Sequence, residues 1–282
     1  MKRLSFFLCG LLVMLASCES PVIDNDEDSE EPQGNLKVSI YQMGSTPFSA
    51  LTRATDNCTR INYAIYTSDG TRVKQINQQS GAADFGSAVF QLEPDTYQLV
   101  VVAHSCEKNP TMTDLTKVQF TNATGYTDTF LHYQSVEVTE EQKNLTVRLD
   151  RITALCRFAF TDDFPAEVKK VRFYYTGGSG AFDATTGMGC VNSKQSLMFD
   201  VVEGQKEFDL YTFLHDTEGT IQLQVTAYDD DDNVICERTF SVPMEQNKVT
   251  WFSGPFFTGG KGSTDVTIVI NTDWAGEIHV TF

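Results

Sequence analysis

Histidine, cysteine and clustered carboxylate are the side chains of this sequence with chemistry to offer, and their spacing builds little of it. The four histidines, His104, His132, His215 and His279, lie far apart, and no two have the separation of a metal pair. His104-Ser105-Cys106 sets a base, a hydroxyl and a thiol in a row. Neighbouring residues on a strand point to opposite faces, so this triplet forms no nucleophile–base dyad. Cys58, Cys106, Cys156, Cys190 and Cys236 are widely spaced with no Cys-x-x-Cys pair, which argues against a zinc or redox motif. An exported chain is free to form disulfides, but five is an odd number. Cys156 and Cys236 sit in strand-like runs and are expected to behave as small buried hydrophobes. Asp229 to Asp232 offers oxygens that calcium favours. It lacks the glycine and distant glutamate of a calcium-binding helical hand, and fits a hairpin turn better. There is no Gly-x-Ser-x-Gly elbow, phosphate-binding glycine loop or His-Glu-x-x-His. Carboxylates paired across separate strands, as glycoside hydrolysis uses, leave no spacing signal. These residues predict no catalytic group, no metal and no cofactor.

One cysteine stands apart. Cys18 closes a start of the form Lys2-Arg3, then Leu4 to Leu15 almost wholly apolar, then Ala16-Ser17. A cationic head, an apolar stretch too short to span a bilayer and small residues before a cut form a secretory signal. Leu15-Ala-Ser-Cys18 resembles the lipobox of bacterial lipoproteins. The resemblance implies removal of residues 1–17 and acylation of Cys18, which becomes the new N-terminus; an ordinary signal followed by a chance cysteine is the alternative. Residues 18–35 are expected to be a tether, since Asp24 to Glu31 is strongly acidic and Pro32-Gln-Gly34 breaks regular structure. Such a segment buries too little apolar area to offset its ordering entropy. An acidic patch after a lipidated cysteine also resembles the signal carrying some lipoproteins to the outer face of the outer membrane. Here the acids begin only at Asp24.

Beyond residue 35 the pattern has period two. Leu36, Val38 and Ile40 alternate with polar residues, and Ile61 to Ile76 reads as two strands about Ser68-Asp69-Gly70, a hairpin signal. Strands are expected at 88–92, 96–103, 134–138 and 144–149, with a turn at Glu93-Pro94-Asp95 and a long polar loop, with room for a short helix, between His104 and Thr129. The phase of alternation slips at Asp150-Arg151, where a bulge or domain crossover is expected. Further strands are expected at 169–175, 196–202, 206–214, 220–228, 234–242, 248–252, 265–271 and 277–282, with Gly177 to Gly180 as a loop. Short strands with turn residues between them and no long helical period predict an all-β chain of two tandem sandwiches, 36–150 and 151–282. The net charge of −17, from 38 acids against 21 bases, argues against nucleic-acid binding.

Three local stretches carry a family resemblance: Leu149-Asp-Arg-Ile-Thr-Ala-Leu-Cys-Arg-Phe158, Val242-Pro-Met-Glu-Gln-Asn-Lys-Val-Thr-Trp-Phe-Ser-Gly254 and Ile268-Val-Ile-Asn-Thr-Asp-Trp-Ala-Gly-Glu-Ile278. With the lipobox and acidic tether, the chain resembles the FimB-like anchor and accessory subunits of the fimbrillin superfamily of type V pili. The resemblance implies two transthyretin-like sandwich domains and a non-enzymatic role at the outer membrane, held by the lipid on Cys18 and partnered by other fimbrial subunits. No small-molecule substrate is expected. In those pili a strand of one subunit completes the sheet of the next, and polymerising subunits lose a first strand after a basic residue. Leu51-Thr-Arg53-Ala54 resembles such a processing site; an ordinary loop arginine is the plainer reading. Two other roles compete. A glycan-binding surface lipoprotein of a nutrient-uptake system would show aromatic rows on a sheet face, with Tyr174, Tyr175, Trp251 and Trp274 as candidates. A hydrolase would show converging carboxylates.

Overall fold

A computed structural model describes residues 34–44, 46–47, 58–258 and 277–281. The described residues hold nineteen strands and no helix. The first half carries β1 (Leu36–Met43), β2 (Thr46–Pro47), β3 (Arg60–Thr67), β4 (Arg72–Gln79), β5 (Ser87–Phe90), β6 (Asp95–His104), β7 (Val118–Gln119), β8 (Phe130–Val138) and β9 (Lys143–Arg151). The second carries β10 (Ala154–Phe160), β11 (Lys170–Gly178), β12 (Ala181–Asp183), β13 (Met188–Gly189), β14 (Ser193–Asp200), β15 (Glu207–Thr212), β16 (Glu218–Tyr228), β17 (Val234–Glu245), β18 (Val249–Gly254) and β19 (Glu277–Thr281).

The two halves are wound alike. In the first, β5 pairs antiparallel and β9 parallel with β1, while β4-β3-β6-β8 forms an antiparallel layer. In the second, β15 pairs antiparallel and β18 parallel with β10, and β14-β11-β16-β17 forms the facing layer. The halves differ at one seam. In the first, β8 and β9 join their layers through Phe130↔Arg151 and Leu131↔Asp150. In the second, β19 extends the layer of β18 in parallel, Val249↔Glu277 to Ser253↔Thr281.

Period-two patterning explains the packing. Leu36, Val38 and Ile40 of β1 face Ile61, Tyr63 and Ile65 of β3 and Leu99 and Val101 of β6 across one core. The second core is rich in phenylalanine. Phe158, fully buried, meets Phe160, Phe173, Phe240 and Phe252 at centroid distances of 5.0–5.8 Å, edge-on or tilted.

Two local expectations need correction and a third is sharpened. The 104–129 stretch contains no helix; it contains β7 and buries Met112, Leu115, Val118, Phe120 and Tyr126. Its apolar residues fit neither helical nor strand period because they fill a gap rather than line a face. Gly177 to Gly180 is not simply a loop, since β11 continues through a bulge to Gly178. The turn at Glu93-Pro94-Asp95 links layers: β5 pairs with β1 and β6 with β3, so this segment passes from one layer to the other. The expected strand at 265–271 lies outside the described residues.

Candidate functional site

The residues assigned roles from the sequence alone, Cys18, Arg53 and Ala54, lie outside the described residues, as do the signal and nearly all of the tether. The other singled-out groups are structural. His104 is fully buried. Its Nδ1 accepts from the Cys106 amide at 3.0 Å, which puts the proton on Nε2, and that nitrogen donates to Asn62 Oδ1 at 2.8 Å. Burial first, and then the charge of Arg60, lowers its pKa to about 3, so the ring is neutral. Cys106 is buried beside Thr127, and burial raises its thiol pKa, the opposite of what activates a nucleophile. Asp229 closes its own turn, accepting from the amides of Asp231 and Asn233 at 2.9 and 2.8 Å. Among the described residues no three histidine, cysteine or acidic groups gather as a metal site, and the described cysteines are unpaired. Cys156 is fully buried as expected; Cys236 is only half-buried.

The expected aromatic platform is split. Tyr175 is buried and donates its hydroxyl to Tyr211 O at 2.8 Å, while Tyr174 faces the other way on β11. Trp251 belongs to the opposite layer, under the Arg157 guanidinium at 4.9 Å, which grips Asp209 through bonds of 2.6 and 2.8 Å. Trp274 lies outside the described residues.

What the sequence did not signal is a third core between the sandwiches. The 105–129 strap crosses the outer face of β3 and β6, and its β7 pairs with β12 of the other half, Ala181↔Gln119 and Phe182↔Val118. Phe120, Tyr126, Phe182 and Phe213 pack with Tyr66, Val100 and Val102 beneath. Polar bonds seal the junction. Arg151 holds Asp128 by Nε and Nη2 at 2.8–3.0 Å, lies over Phe130, and reaches Asn247 Oδ1 at 3.3 Å. Gln246 donates to the carbonyls of Ile152 and Gly187 at 3.3 and 3.1 Å.

The strap also walls a groove of about 660 Å³ against the β3–β4 hairpin. One wall is the turn Ser68-Asp69-Gly70, in which Gly70 has φ of +88° and its amide bonds Thr67 O at 3.0 Å. That left-handed position selects glycine. The other wall is Thr113 to Thr116, tied by Tyr66 Oη to Met112 O at 2.6 Å and by the Ala184 amide to Leu115 O at 2.9 Å. Arg72, Gln98 and Tyr133 complete its lining. Asp69 accepts from the Thr67 hydroxyl and the Thr71 amide, and Asp114 from the hydroxyl and amide of Thr116 at 2.7 and 2.8 Å. These bonds hold both carboxyls below the usual range, so both are ionised at neutral pH.

Residues 28–282 match the model of a family described as of unknown function, DUF6562. The chain belongs to this family. No curated protein matches it by sequence. Among solved structures, the DUF6562 chain is similar to a candidate adhesin from Bacteroides ovatus at 17% identity and a TM-score of 0.51, covering 81% of this chain and 88% of that one. It is also similar to the fimbrial anchor protein Mfa2 from Porphyromonas gingivalis, at 14% identity, TM-score 0.42 and coverage of 72% and 80%. A candidate polysaccharide-binding protein from Bacteroides thetaiotaomicron shows 11% identity, TM-score 0.46 and coverage of 73% and 80%. The likeness to the adhesin is one of fold. In the DUF6562 chain, β19 is a five-residue strand whose described pairing is with β18, at the edge of its sheet.

Proposed function

We propose that the protein is a lipid-anchored fimbrial subunit, an anchor or accessory component at the outer membrane that acts through contacts with other subunits. The observation that carries this reading is the pair of like-wound sandwiches joined through a common core, with the terminal strand β19 laid along one sheet edge. Such a body suits a structural link in an assembly: its halves share a core and it offers backbone pairing at an edge, the mode of strand addition. The division at residues 150 and 151 makes each sandwich one domain of that link.

The Leu15-Ala-Ser-Cys18 stretch supplies the attachment. Each buried acyl CH₂ contributes about 0.8 kcal/mol, and stable anchoring takes more than one chain. Cys18→Ala is expected to move the protein from the membrane fraction to the soluble one; retention in the membrane fraction overturns the anchored reading. A clean deletion of the gene is expected to leave fimbriae shed, altered in length or absent, and unchanged surface fimbriae overturn the fimbrial reading. Arg53 fits an uncleaved role here, because a cut after it would part the fold from Cys18.

A further inference from the structure

We propose that the groove between the β3–β4 turn and the 113–116 loop is a binding site for a neutral oligosaccharide. The proposal stands apart from the fimbrial reading and does not depend on it.

Three observations carry it. The site is preformed. The turn is held by its own Asp69 bonds, the facing loop is tied to Tyr66 and to Ala184 of the other sandwich, and a Cβ added to Gly70 would stand 3.6 Å from Leu115, so turn and loop lie close together. Walls fixed before a ligand arrives reduce the ordering cost of binding. Second, unlike the closely packed cores, this opening of about 660 Å³ has the size of a small-ligand site. Third, its polar groups discriminate between ligand classes. Two ionised carboxylates, Asp69 and Asp114, disfavour an anion. Arg72 in the same lining disfavours a metal cation, and two carboxylates fall well short of the roughly six to eight oxygens calcium takes. The hydroxyls, amide and charged groups of the lining disfavour a lipid.

What remains is an uncharged molecule with many donors and acceptors on a compact frame, which describes a sugar. Asp114 directs both Thr116 bonds to Oδ1, so Oδ2 is available to accept from a sugar hydroxyl. Gln98 and Arg72 supply donors, and the Tyr133 ring gives the C–H face of a pyranose an apolar partner. An aromatic, two carboxylates, an amide and a guanidinium line the groove from four separate segments of the first half.

Isothermal titration of the detergent-solubilised full chain with maltoheptaose, cellohexaose, mannohexaose and trigalacturonate tests the proposal. At least one neutral oligosaccharide is expected to bind saturably at one site per chain. Asp114→Asn and Gln98→Ala are each expected to weaken that binding by about tenfold or more, as loss of a charge-assisted or well-placed hydrogen bond does. Tyr174→Ala, on the other sandwich, is expected to leave it unchanged. Thermal unfolding of each variant reports folding; should Asp114→Asn fail to fold, Gln98→Ala carries the test. The proposal is overturned if no neutral oligosaccharide saturates, if trigalacturonate alone binds, or if binding survives both groove substitutions. Failure of Cys18→Ala to release the protein would sink the anchored reading and leave this result intact.

Discussion

His104 shows how a residue with catalytic potential becomes structural. Its two ring nitrogens are both engaged, one as acceptor and one as donor, and Phe120 meets the ring edge-on at 5.0 Å. Protonation would convert the acceptor Nδ1 into a donor facing the Cys106 amide. Burial first, and then the charge of Arg60, keep the folded pKa at about 3, against about 6.5 in the unfolded chain. Between these values the unfolded chain binds a proton that the folded one refuses, so stability is complete above about pH 6.5 and falls as pH drops. Stability measured by urea unfolding should decline between pH 6 and 5 with a slope approaching 1.4 kcal/mol per pH unit. His104→Gln should be less stable at neutral pH and flatter across that window. The carboxylates with lowered pKa lose their smaller, solvent-screened contribution only at lower pH, which separates the two effects. A second test at this scale concerns the junction. Asp128 and Arg151 are 21% and 12% exposed, so Asp128→Ala leaves a guanidinium short of its main partner in a mostly dry place. A loss of about 3 kcal/mol is expected in the same urea assay.

At the scale of elements, the strands of both sandwiches were legible because one face is dry and the other wet, and period two follows directly. Leu36, Val38, Ile40 and the Asp69-Gly70 turn needed no tertiary information. The strap was not legible. Met112, Leu115, Val118, Phe120 and Tyr126 are spaced irregularly because they answer to the shape of two sheets and not to the repeat of one. The groove was hidden for the same reason: Asp69, Gln98, Asp114 and Tyr133 are near each other only after the strap has folded over β3 and β6. Close approach at the strap's far end leads to a further prediction. A Cβ at Gly180 would stand 2.1 Å from the Tyr126 hydroxyl, which donates to Asn122 Oδ1 at 2.6 Å. Gly180→Ala must push Tyr126 aside and break that bond, at an expected cost of about 1–3 kcal/mol. Hydrogen exchange should rise in the 118–126 segment and little in β14 to β17.

For the whole molecule, the central core decides whether two sandwiches behave as one body. Phe213, fully buried, comes from the second half and packs against Phe120, Tyr126 and Phe182 at 5.1–5.7 Å. Two of these partners belong to the strap of the first half, so the ring spans the boundary between the two sets of strands. If this core couples the halves, the native protein should melt in one calorimetric transition, with calorimetric and van't Hoff enthalpies equal. Phe213→Ala removes a buried aromatic side chain at the junction, at an expected cost of about 3–5 kcal/mol. That cost should fall on the coupling and not on either sandwich, because Phe158 and its neighbours in one core and Tyr63 and Leu99 in the other are untouched. The expected result is therefore a split of the single transition into two. A lowered but still single transition would mean that the sandwiches are coupled chiefly by the Arg151–Asp128 pair and the β7–β12 strand pairing.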